Sequence, residues 1–79
     1  MVERGPRLAR SAFRHDVLLE DIVHAFDHPM FTVDLDEGLL MIIGPSRAAV
    51  LLELGLIVGF DGPVVVHAMP ARPQFLRRK

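Results

Sequence analysis

The sequence predicts an α+β domain, with two N-terminal helices packed on a four-stranded antiparallel sheet. Three observations predict it. Apolar residues recur at helical spacing up to about residue 28, β-branched and aliphatic residues then alternate or run on to about residue 69, and DEG and FDGP stand where that second stretch must reverse.

Gly5 and Pro6 precede Leu8, Ala9, Ala12 and Phe13, which predicts a short first helix ending near His15. Leu19, Ile22, Val23 and Phe26 fall at i, i+3, i+4 and i+7, so a second helix turns one apolar stripe to a core while Glu20, Asp21, His24 and Asp27 face elsewhere. Pro29 ends it, because the residue before a proline avoids the α region. Residues 30–35 and 39–44 read as strands joined by Asp36, Glu37 and Gly38, a three-residue loop with glycine at its left-handed position. Phe31, Val33 and Leu35 then lie opposite Ile43, Met41 and Leu39. Residues 49–58 and 64–69 form the second hairpin about Phe60, Asp61, Gly62 and Pro63. A two-residue turn there sets Leu56 against His67, Val58 against Val65 and Leu54 against Met69. His67 then shares a face with Leu54, Leu56 and Val58, and Glu53, Gly55, Ile57, Val66 and Ala68 take the other. Helices on one face leave the second apolar face bare, which predicts a homodimer or a protein partner.

At 79 residues the chain is one domain, 1–79, with residues 1–6 and 74–79 expected to be flexible. It has no cysteine, so disulfides and cysteine-bound zinc are excluded and any chemistry falls to histidines and carboxylates. No apolar run is long enough to span a membrane, and residues 1–15 lack the apolar core of a signal peptide, so the expected location is cytoplasmic with no membrane partner. The formal charge of −1 conceals a segregation: +3 over residues 1–15, −8 over 16–62 and +4 over 63–79. If the two ends meet, they make a basic patch on an acidic body, suited to a polyanion.

His67, Arg72 and Glu53 are the strongest candidates for acid–base work. An imidazole exchanges protons near neutral pH, a guanidinium holds an anionic phosphate, and a carboxylate orients or deprotonates. His15 stands next to Arg14 where the first helix is expected to end, and Arg47 is the only base of the acidic middle. Arg14, Arg47, Arg77 and Arg78 are the candidate RNA contacts. His24 and His28 have the i, i+4 spacing that lets two imidazoles share a metal, but Ala25 stands where a zincin motif carries glutamate, and no metal centre or other cofactor is expected.

The stretch RHDVLLEDIVHAFDHPMFTVDL resembles the opening of BrnT-type toxins, small ribonucleases of the RelE superfamily in type II toxin–antitoxin pairs, through His15, Val17, Glu20, Phe26 and Pro29. LLMIIGPSRAAVLLELGLIV is similar to that family's second strand, turn and long third strand, so the resemblance spans about residues 10–72. The whole chain resembles still more closely short toxin-like bacterial proteins with RHG, HA, GP.RA, LLE and HAMP.R in that order. The resemblance implies a RelE/BrnT-like fold, RNA as substrate and a cognate antitoxin as partner. It carries over His15 directly, whereas Asp16 and Leu18 replace family glycine and serine, and Ala68, Met69 and Pro70 stand where the family has Ala-Arg-Arg. Two functions from different classes follow as expectations. One is a metal-independent endoribonuclease toxin in which His67 and Glu53 exchange protons, Arg72 steadies the phosphate and His15 supports. The other is a non-catalytic, dimeric interaction module with a toxin-like fold.

Overall fold

The computed structural model describes residues 6–76, apart from the side chain of Phe75. Its sheet has five strands: β1 (Arg7–Leu8), β2 (Phe31–Asp34), β3 (Leu39–Pro45), β4 (Leu51–Gly59) and β5 (Gly62–Pro70), in the spatial order β1-β5-β4-β3-β2. β2 to β5 are antiparallel neighbours, and β1 runs parallel to β5, so the sheet is mixed. One helix of more than a single turn, α1 (Leu19–Asp27), crosses it.

The expected pair of N-terminal helices on an antiparallel sheet is therefore corrected to one helix on a mixed five-stranded sheet. The first segment was legible as a helix only locally. Arg7 and Leu8 instead pair with Val64 and Val65, the Ala9 N–H donates to the Val65 carbonyl, and Ala9 is extended. A helix this short is marginal by itself, whereas β5 offers a row of unpaired backbone groups that a neighbouring strand satisfies. What remains is a 3-10 turn, Arg10–Phe13, followed by Asp16 at φ 62°, a left-handed residue that stops any continuation. Residues 1–5 and 77–79, where most of the expected flexible ends fall, lie outside the described residues.

The helix-covered face carries the main core: Ile42, Leu52, Leu54, Leu56, Val65 and Ala68 of the sheet meet Ile22 and Ala25 of α1 and Ala12 of the 3-10 turn. α1 starts without a side-chain cap, but Glu20 and Asp21 lie in its first turn, where carboxylates favour the helix dipole. His24 is not turned to solvent. Its Nδ1–H donates to the Pro45 carbonyl at 2.8 Å and fastens the helix to the end of β3. Gly44 sits directly beneath α1, where a Cβ would lie 2.4 Å from the Ala25 carbonyl oxygen.

The β3–β4 connection turns on Ser46. Its backbone pairs with Val50, and its Oγ accepts from the Ala48 and Val50 N–H groups. Ala49 closes the loop at φ 68°, a position glycine adopts without crowding a Cβ. Ala49→Gly is therefore expected to stabilise the protein by about 0.5–1 kcal/mol, the relief of left-handed strand-end strain less the glycine entropy penalty. The urea midpoint should rise; a fall would show that Ala49 carries no strain.

Candidate functional site

The face of β4 and β5 opposite the α1-covered core holds the site, and a β-bulge decides its contents. Below the turn at Phe60 and Asp61 the pairs run Gly59–Gly62, Val58–Pro63, Ile57–Val64 and Leu56–Val65, but the next pair is Gly55–His67, so Val66 is the extra residue. The expected pairing of Leu56 with His67 is corrected accordingly. An unbulged ladder would leave His67 on the face of Leu54 and Leu56; the inserted residue turns it to the face of Glu53 and Gly55. Ser11 of the 3-10 turn donates its hydroxyl to the Val66 carbonyl at 2.6 Å, tying the N-terminal segment to the bulge. Gly55 leaves the floor open: a Cβ there would lie 3.1 Å from the His67 Cβ.

Glu53 is the hub. Its side chain is 0% exposed, and its oxygens accept from the Arg72 backbone N–H at 2.9 Å, from Arg72 Nε at 3.1 Å and from Arg72 Nη2 at 2.7 Å. His67 Nε2 lies 2.9 Å from Glu53 Oε2, so with the carboxylate ionised this nitrogen carries the proton and Nδ1 is the ring's acceptor. The His67 side chain is 29% exposed and that of Arg72 45%. Burial pushes the Glu53 carboxyl up, but the hydrogen bonds from Arg72 and His67 and the Arg72 charge outweigh it and hold the group below its ordinary range. Glu53 is thus an ionised strut beneath the histidine, and its bond raises the electron density of the imidazole and fixes its tautomer. His15 completes the cluster from the N-terminal side, its ring meeting that of His67 edge-on with centroids 5.6 Å apart.

The four residues proposed for catalysis, His15, Glu53, His67 and Arg72, therefore converge. The RNA-contact candidates divide. Arg14 is exposed at the end of the 3-10 turn, beside His15 in the chain. Arg47 binds Asp21 of α1 through both its backbone N–H, at 3.0 Å, and its Nε, at 2.8 Å, which holds Asp21 below the ordinary carboxylate range. Arg77 and Arg78 lie outside the described residues. His24 and His28 stack with centroids 4.3 Å apart, each with Nδ1 donating to a backbone carbonyl, and among the described residues no group of three or more potential ligands gathers for a metal. Sequence reasoning missed Gly55 and Ser11. A glycine inside a strand is a recognised sign of close approach and could have marked the first; nothing local marks the second.

Among the described residues no helix is long and apolar enough to cross a membrane. Compared with protein-family models, curated proteins and solved structures, the chain matches none.

Proposed function

We propose that this protein is a metal-independent endoribonuclease acting in the cytoplasm as the toxin of a type II toxin–antitoxin pair. The observation that carries the reading is the pair of neighbouring imidazoles, His15 and His67, with the second anchored on a buried, ionised carboxylate and a guanidinium alongside. Two imidazoles suit cleavage by the RNA 2′-hydroxyl, which needs one group to accept a proton and another to give one. In the reaction the 2′-oxygen bonds to the adjacent phosphorus, the bond from phosphorus to the 5′-oxygen breaks, and a 2′,3′-cyclic phosphate and a 5′-hydroxyl result. His67 takes the 2′ proton on Nδ1 and His15 delivers one to the departing 5′-oxygen. Glu53, buried beneath the ring, acts as a positioning residue and not as the second proton carrier. Arg72 anchors Glu53 and lends positive charge to the phosphate. No cofactor enters the scheme, and an antitoxin protein is the partner that would silence it.

The test is incubation of the purified protein with RNA in EDTA. The wild type should leave 2′,3′-cyclic phosphate ends, and His67→Ala should lower the rate by about 10²–10⁴-fold, the usual contribution of a general acid or base. Intact RNA with the wild type rejects the nuclease, and unimpaired cleavage by His67→Ala at an unchanged melting temperature rejects His67 as its base.

One observation favours a second reading, the non-catalytic dimeric module. Leu35, Ile57, Val58 and Phe60 are exposed apolar residues at the two hairpin ends, which meet through the Val58 N–H to Gly38 carbonyl bond. That reading expects a dimer in sedimentation that Phe60→Ser dissociates, without any cleavage of RNA.

A further inference from the structure

We propose that the 3-10 turn carries a subsite for single-stranded RNA, with one base stacked on Phe13 and flanking phosphates held by Arg10 and Arg14. The inference rests on the ribonuclease reading for its substrate but on different residues. Arg10, Ser11, Phe13 and Arg14 line an open depression of about 550 Å³. Phe13 is 40% exposed, and neither Arg10 nor Arg14 has a carboxylate partner among the described residues, in contrast to Arg47 and Arg72. An exposed aromatic face between unpaired guanidiniums is the chemistry of sequence-tolerant single-strand binding: every base has a face to stack, and every nucleotide a phosphate to pair.

Position supports the assignment. Ser11, in the wall of the depression, is hydrogen-bonded to the bulge that turns His67 outward, and His15, next in the chain after Arg14, touches His67. A strand lying with one base on Phe13 therefore runs toward the two imidazoles. The hairpin ends carry Asp34, Asp36, Glu37 and Asp61, which repel a polyanion, and Asp16 is the one acid within two residues of the turn's arginines.

Binding of a fluorescently labelled ten-nucleotide RNA, followed by anisotropy on the His67→Ala background, tests the subsite apart from cleavage. Phe13→Ala should weaken binding by about tenfold, within the range of one lost stacking contact, whereas Met30→Ala, which trims an exposed apolar side chain elsewhere, should not. Arg10→Ala with Arg14→Ala should flatten the slope of log affinity against log salt by about 1.4, as expected for two phosphates on a single strand. Melting temperatures of all variants check that folding is intact. Affinity unchanged by Phe13→Ala, a salt slope unchanged by the arginine pair, or no RNA binding at all overturns the subsite, even if the wild type cleaves. Binding that depends on Phe13 without cleavage by the wild type upholds the subsite and rejects the nuclease. A free ribonucleoside monophosphate that displaces the RNA at a concentration equal to its own Kd would make this a mononucleotide site and overturn the polymer assignment.

Discussion

Gly44→Ala is expected to destabilise the protein by about 3 kcal/mol or more, at or beyond the top of the usual range for overpacking. Most added methyl groups meet side chains that can rotate away. At Gly44 the new carbon would lie 2.4 Å from the Ala25 carbonyl oxygen and 3.1 Å from that of His28, both backbone atoms at the end of α1. Relief requires the helix to rise from the sheet by roughly 0.6 Å or more, the gap between 2.4 Å and the 3.0 Å that Cβ contacts respect. That movement loosens Ile22 and Ala25 in the core and stretches the His24 bond to Pro45. For a domain this small, about 3 kcal/mol lowers the melting temperature by roughly 12–24 °C. A thermal melt of Gly44→Ala within a few degrees of the wild type would show that the helix is not seated on this glycine.

The Gly44 contact also shows what kind of information the sequence carries. The β2–β3 hairpin was legible in detail: Phe31 pairs with Ile43 and Val33 with Met41, because alternation and a three-residue loop are local signals that agree. α1 was legible from its stripe in its middle and end, with Ile22 buried and Val23 and Phe26 half-buried, but Leu19 is exposed and Ala25, outside the stripe, takes a core place. The N-terminal strand was not, since a short stretch of Leu, Ala and Arg fits a helix equally well, and its partner β5 lies more than fifty residues away. The face of His67 was illegible for a related reason. It depends on where one extra residue enters β5, and Ser11, which supports that bulge, is 55 positions distant. The side chains of the candidate site were nonetheless nameable, because a strand that places histidine, and an adjoining strand that places glutamate, among aliphatic residues is chemically conspicuous. Their geometry depended on long-range contacts that no periodicity encodes.

Glu53→Ala should have the second large effect, a loss toward the lower end of roughly 3–5 kcal/mol, because it removes the shared acceptor of a buried ion pair and leaves a void in the sheet. The lower end applies since Arg72 is nearly half exposed and regains water when its partner goes. Acid should reproduce part of that loss in the wild type. The folded carboxyl titrates below its ordinary range, near pH 4.3 for an unfolded chain, so around that pH the unfolded state binds the proton and the native state does not. By linkage, the contribution is fully present above the unfolded pKa and fades as pH falls through the folded one. Glu53→Gln, close in volume but without the titrating group, should therefore be less stable at neutral pH and show a shallower decline of stability below about pH 4.5 than the wild type. Asp21→Asn provides the contrast: its carboxyl also lies below the ordinary range, yet the Arg47 pair is at the surface, where solvent screens it, and its removal should move the melting temperature far less. Parallel acid slopes for wild type and Glu53→Gln would mean that the carboxylate is not what holds Arg72 and His67 together, and the imidazole would lose the support on which the cleavage scheme depends.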